Sequence, residues 1–140
     1  MKININVVGL GFVGLTTALG FSEKKFKKIF VEKDLIRLNK IKKCRIPFKE
    51  PYLEKILKKN LKKNNIILSN KILFDEEKIN VVFICVGTPS KKNGSIDLKY
   101  ITSAVKEINK NVKKEKVLIV IKSTVLPGTI SKNLIKLIDK

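Results

Sequence analysis

Gly9, Gly11 and Gly14 make a G-x-G-x-x-G run directly behind the apolar stretch Ile3-Asn4-Ile5-Asn6-Val7-Val8. In a strand-to-helix connection the first glycine makes the tight turn, the second lets a pyrophosphate approach the backbone, and the third lets helix and strand pack closely. The phosphates then rest on N–H groups at the helix N-terminus that have no intrahelical partner. Glycines alone are weak evidence, because loops collect them for turn geometry. The run gains meaning from Glu32, which closes Ile29-Phe30-Val31 near the spacing of about 20 residues expected for a carboxylate that bonds ribose hydroxyls. A carboxylate there repels a 2′-phosphate and favours NAD over NADP, while Lys33 and Arg37 close by soften that repulsion. Two further apolar runs end in small or hydroxyl residues, Gly87-Thr88-Pro89 and Lys122-Ser123-Thr124. Ligands of open parallel sheets bind outside the carboxyl ends of strands, so Thr88 and Thr124 offer donors to phosphate, ribose or the nicotinamide amide.

The elements that must position these residues alternate between apolar runs and helical patterns. That alternation predicts an α/β, Rossmann-like fold: a mainly parallel, doubly wound sheet with helices on both faces. Strands are expected at about 3–8, 28–32, 66–68, 81–86 and 117–121. A first helix from Phe12 to Phe21 would bury Val13, Leu15, Ala18 and Leu19, and a second, from near Asp34, carries Leu35, Leu38 and Ile41. Pro47 and Pro51 bracket an extended connection, with Pro51 expected in the first turn of a helix whose Leu53, Ile56, Leu57 and Leu61 share a face. An acidic turn at Asp75-Glu76-Glu77 precedes the most apolar strand, and a turn-rich loop spans Ser90 to Gly94. Asp97 is expected to cap a helix with the stripe Leu98, Ile101, Val105, Ile108 and Val112. A last helix would carry Ile130, Leu134, Leu137 and Ile138.

The 140 residues fit one domain, short for an enzyme that must hold both a dinucleotide and a second substrate. No signal peptide or membrane span is evident, so a cytoplasmic protein that does not engage membranes is expected. Cys44 and Cys85 suggest neither a disulfide framework nor a metal site. The net charge of +19 raises polyanion binding, but only Arg37 and Arg45 among 31 basic residues are arginine, and the lysines are scattered. Specific recognition of nucleic acid favours the forked guanidinium, so only a salt-sensitive, non-specific affinity is expected.

Four separated segments resemble the nucleotide-sugar 6-dehydrogenases, the UDP-glucose and GDP-mannose dehydrogenase family. They are Val8-Gly9-Leu10-Gly11-Phe12-Val13-Gly14-Leu15, Ile46-Pro47-Phe48-Lys49-Glu50-Pro51-Tyr52-Leu53, Phe83-Ile84-Cys85-Val86-Gly87-Thr88-Pro89 and Ser123-Thr124-Val125-Leu126-Pro127-Gly128-Thr129. Asn93-Gly94-Ser95-Ile96-Asp97-Leu98 also looks like the family's loop and helix start. The resemblance implies an NAD-binding domain over residues 1–140. Phe12 and Val13 would contact the cofactor beside Gly9, Gly11 and Gly14, Glu32 would take the adenosine ribose, and Arg37 would lie near it. Gly87, Thr88 and Thr124 would face the pyrophosphate or nicotinamide half. Departures are Glu32 where the family usually has Asp, and Cys44 and Tyr52 where it often has Gly.

Such enzymes oxidise a sugar C6 alcohol to a carboxylate with two NAD, holding the intermediate as a thioester on a cysteine. Neither Cys44 nor Cys85 matches that cysteine's motif, so the resemblance puts the family cysteine beyond Lys140. The family's central dimerisation and C-terminal nucleotide-binding domains have no counterpart here either. The expectation is therefore a domain that binds NAD but has no catalytic residue or metal of its own. Its substrate, UDP-glucose or GDP-mannose, and any homodimer would belong to a full-length enzyme. A non-catalytic Rossmann module or truncated remnant binding a dinucleotide is the alternative.

Overall fold

The computed structural model describes residues 2–22, 24, 26–113 and 115–138. Lys140, the residue beyond which the catalytic cysteine is expected, lies outside the described residues, as does Met1 at the other limit of the expected domain. Among the described residues five strands form one sheet: β1 (Ile3–Val8), β2 (Lys27–Val31), β3 (Ile67–Ser69), β4 (Ile79–Ile84) and β5 (Val117–Ile121). Their order is β3-β2-β1-β4-β5 and every pairing is parallel. The order reverses beside β1, so the loops after β1 and β4 diverge and leave a crevice between them. The α-helices among the described residues are α1 (Phe12–Gly20), α2 (Leu35–Lys42), α3 (Leu53–Lys62) and α4 (Lys99–Asn111).

Alternate strand residues feed two cores, as a sheet covered on both faces requires. On one face Ile5, Val7 and Phe30 meet Leu15, Ala18 and Leu19 of α1, Ile41 of α2, and Leu53 and Leu57 of α3. On the other, Val8, Ile29, Val31, Val82 and Ile84 meet Ile101, Val105 and Ile108 of α4, together with Leu134. Part of this second face is covered by the connection leading from β3 to β4. Asn4, Asn6 and Asn80, fully buried in the strands, hold that connection. Asn4 and Asn6 both donate Nδ2–H to the Leu73 carbonyl, at 2.8 and 3.0 Å, and Leu73 N–H donates back to Asn6 Oδ1 at 3.0 Å. Asn80 accepts from Asp75 N–H at 3.0 Å and donates to the Asp75 carbonyl at 2.9 Å. Amides inside apolar strands thus stand in for a ladder where no strand or helix lies.

Several boundaries differ from expectation. β4 ends at Ile84 rather than 86, because β1 turns away at Gly9; Cys85 N–H still donates to the Val8 carbonyl at 2.8 Å, but nothing lies beyond it to extend the ladder. Val13, expected in the core, is 44% exposed, since the first turn of α1 overhangs the carboxyl edge of the sheet. Leu35 overhangs in the same way at the start of α2, whereas Leu38 and Ile41 are buried. Pro51 lies before α3 rather than in its first turn, because Tyr52 adopts φ +66° and breaks helical continuity there. Asp97 sits one residue before the N-cap Leu98, yet its carboxylate still accepts Lys99 N–H at 3.0 Å. The last segment is not an α-helix. A π turn, Ile130–Leu134, runs into a 3-10 turn, Ile135–Leu137; the wider i+5 bonding unstacks the expected stripe, burying Leu134 and exposing Ile130 and Ile138.

The two positions where the family often has glycine prove to be left-handed. Cys44 has φ +57° and closes α2, with Cys44 N–H donating to Ile41 and Arg45 N–H to Lys40. This pair of bonds is a Schellman cap, which glycine fits without the Cβ penalty. Asn64, φ +51°, closes α3 with the same two bonds.

Candidate cofactor-binding site

β1 leads straight into the glycine turn, and each glycine there meets different surroundings. Gly9 has φ +90° and donates its N–H to the Val31 carbonyl at 2.8 Å; a Cβ would sit 3.0 Å from backbone atoms of Cys85 and Val86. A Cβ on Gly14 would lie 1.7 Å from the Gly9 carbonyl oxygen, so only glycine lets α1 approach the turn. A Cβ on Gly11 would meet nothing within 4 Å. That open space lies in front of Phe12, Val13 and Gly14, whose N–H groups precede the first helix bond, from Leu15 N–H to the Gly11 carbonyl.

Glu32 follows β2 and is 5% exposed. Its Oε2 accepts Leu10 N–H from the glycine turn at 3.0 Å and pairs with Arg37 Nη1 at 3.3 Å, while Oε1 accepts Asp34 N–H at 3.0 Å. Asp34 caps α2, its Oδ1 accepting Ile36 N–H and Arg37 N–H. One carboxylate therefore ties the β1 turn, the β2 end and the α2 start into a single unit. Two oxygens offer about four acceptor sites, of which the three bonds to Glu32 use three, leaving one for a ribose hydroxyl.

On the other side, Ser123 Oγ donates to the Val86 carbonyl at 2.7 Å and Lys122 N–H donates to the Ile84 carbonyl at 2.8 Å, which holds the exits of β4 and β5 together. Thr88 and Thr124 stand beyond this clasp, and among the described residues neither hydroxyl is hydrogen-bonded.

These parts enclose a cleft of about 630 Å³, within the range of about 300–1,000 Å³ usual for cofactor sites. Gly9, Gly11, Phe12, Val13, Glu32, Arg37, Gly87, Thr88 and Thr124 all line it. Gly14 does not, since it is buried behind the turn, where it sets the packing of α1. The sequence reading missed one wall. Tyr100, Ser103, Ala104 and Glu107 of α4 face the cleft. They recur at i, i+3, i+4 and i+7, a stripe beside the apolar one, and that spacing is the signal that could have revealed them. Cys85 touches the floor of the cleft, and burial pushes its thiol up to about 11 against a partial counter-effect from Lys122. Both cysteines are free, and among the described residues no cluster of acidic, histidine or cysteine side chains could hold a metal ion.

Residues 3–140 match the model of the UDP-glucose/GDP-mannose dehydrogenase family, NAD binding domain. The chain belongs to this family. It is 37% identical to GDP-mannose 6-dehydrogenase of Pseudomonas aeruginosa over 98% of its own length and 32% of that protein's. It is 36% identical to UDP-glucose 6-dehydrogenase of Rickettsia typhi over 91% of its length and 29% of the relative's. A ternary complex of the P. aeruginosa GDP-mannose dehydrogenase superposes over 99% of this chain and 32% of that one, with a TM-score of 0.80 at 35% identity. The chain thus spans under a third of the length of these relatives. The cleft has features that suit NAD: an open cradle at Gly11, a row of helix N–H groups and a buried carboxylate hydrogen-bonded to the turn. Among the described residues no helix is long and apolar enough to cross a membrane.

Proposed function

We propose that this cleft binds NAD with its pyrophosphate over Gly11 and the N-terminus of α1, and that the domain provides the cofactor half of a nucleotide-sugar 6-dehydrogenase. The observation that carries the reading is the bond from Leu10 N–H to Glu32 Oε2, because it fixes the ribose carboxylate beside the phosphate cradle. Bound NAD supplies a nicotinamide that accepts hydride from an alcohol carbon. The residues of this chain do the holding. Backbone amides of the first turn of α1 face the diphosphate, Glu32 accepts an adenosine ribose hydroxyl at its remaining acceptor site, and Arg37 fixes Glu32 from the adenosine side. Phe12, packed edge-on against Phe48 with centroids 5.0 Å apart, and Val13 cover the bend. Gly87, Thr88 and Thr124 present backbone and hydroxyl donors to the nicotinamide half.

The sugar chemistry, oxidation of a C6 alcohol to a carboxylate on UDP-glucose or GDP-mannose, is proposed for an enzyme of which this domain forms part, acting in the cytoplasm as a homodimer. Cys85 does not provide the thiolate that such chemistry uses, since burial keeps its thiol protonated at neutral pH. Cys44 sits at the far end of α2, away from the cleft. The thiolate is therefore assigned to another part of that enzyme. Calorimetric titration with NAD tests the reading of the cleft, with Gly11→Ala as the probe. The backbone of Gly11, φ −76° and ψ −162°, is open to alanine, so the variant should fold normally and lose NAD affinity by about tenfold or more, equivalent to about 1.4 kcal/mol. Equal binding by both proteins overturns the placement of the diphosphate.

A further inference from the structure

Two cations stand at the adenosine end of the cleft, and each is held by an acid from another element. Arg37 pairs with Glu32 across the β2 to α2 corner. Lys33, next to Glu32 in sequence, reaches over the cleft to form an ion pair with Glu107 of α4. The Glu107 side chain is only 17% exposed, and its Oε1 also accepts Ile72 N–H at 3.3 Å, so it is fixed from two sides, while Lys33, 55% exposed, is the solvent-facing partner. All four residues line the cleft.

We propose that Glu107 is a second determinant of cofactor choice, acting as a positioning residue that holds the Lys33 ammonium away from the 2′ position of the adenosine ribose. The inference rests on the reading of the cleft as the dinucleotide site. A basic residue beside the ribose carboxylate is the group that would accommodate a 2′-phosphate, and such a phosphate carries close to two negative charges. Glu32 repels that group directly. Glu107 acts on the same choice from the opposite wall, by neutralising Lys33 and drawing it toward α4. Sequence proximity alone therefore overstates the help that Lys33 gives to NADP.

The test compares NAD and NADP dissociation constants by calorimetry for the wild-type chain, Glu107→Gln, Lys33→Met and the double variant. Glutamine still offers an oxygen to Ile72 N–H, so folding should survive. Glu107→Gln should shift the NADP to NAD preference roughly fivefold toward NADP, the scale of a half-exposed ion pair. Lys33→Met should leave the preference within about twofold of wild type, and the double variant should return to it, since Glu107 acts only through Lys33. A Glu107→Gln variant whose two constants move in parallel, or not at all, shows a merely structural role and overturns the inference. So does a Lys33→Met variant that weakens NADP severalfold, because the ammonium would then already face the phosphate; this arm stands even if Glu107→Gln fails to fold. A wild-type chain that binds neither dinucleotide sinks the assignment of the cleft itself, whereas NAD binding with an unmoved preference sinks only the role of Glu107.

Discussion

The two ends of the cleft are built on different terms. At the end proposed for the adenosine half nearly every polar group is already committed: Glu32 bonds two backbone amides and Arg37, Asp34 caps α2, and Lys33 spans to Glu107. At the β4 and β5 end the half-buried clasp made by Ser123 lies beside exposed Thr124 and half-exposed Thr88, whose hydroxyls have no bonded partner among the described residues. The first end is preorganised by the chain itself, so changes there should cost stability and binding together. The hydroxyls of the second make no bonds within the described chain, so changes there should cost binding alone. Gly11 marks the boundary, with open space where Gly14, three residues on, has none.

The contrast is most severely tried at Gly14. A Cβ 1.7 Å from the Gly9 carbonyl cannot be accommodated without moving backbone, so Gly14→Ala should lose about 3–5 kcal/mol, or fail to fold, in denaturant melts. A Gly14→Ala chain as stable as Gly11→Ala would erase the distinction between the two glycines. Next in size is Glu32→Gln, which leaves Arg37 without its acid and forces an amide N–H toward one of two backbone donors. It should destabilise by about 1–3 kcal/mol and weaken NAD binding in the same protein; a loss of binding with stability intact would mean that the adenosine end is not self-supporting.

Cys85 sharpens the picture from beneath. Its folded-state pKa is raised from 9.0 to about 11, so the folded chain keeps a proton that the unfolded chain releases; the contribution to stability is complete below about pH 9 and declines as pH rises toward 11. A thiol reagent at pH 8 should accordingly label partly exposed Cys44 first and reach Cys85 only on unfolding, as peptide mapping would show. The smallest effects belong to the open end. Thr88→Val and Thr124→Val should each stay within about 0.5 kcal/mol of wild-type stability, while NAD affinity falls by about two- to tenfold, the worth of one hydrogen bond. A marked drop in melting temperature for either would show that the end is structural after all.

Much of the cleft wall could be read from local pattern, because a glycine turn, a strand-end carboxylate and strand-end hydroxyls are features of neighbouring residues. Gly9, Gly11, Glu32, Thr88 and Thr124 were legible in that way. The stripe of Tyr100, Ser103 and Glu107 was not, since the apolar stripe of the same helix accounts for its packing and nothing local tells which flank borders a ligand. Nor was the burial of Asn4, Asn6 and Asn80, which depends on a loop about 70 residues away in the case of β1 supplying matching carbonyls and amides. The π turn at 130–134 escaped because its apolar spacing suits an ordinary helix equally well.

By itself the sequence determined the class of fold, the strand-turn-helix with its glycine turn, and the presence of a carboxylate one strand over, all set by periodicities and backbone freedoms that act within a few residues. Only the tertiary structure decided which way the charges at the adenosine end are shared. Lys33 is adjacent to Glu32 along the chain, yet its partner is Glu107 on the opposite wall, because β2 and α4 approach across the sheet edge and an ion pair forms with the acid that packing has already fixed in place.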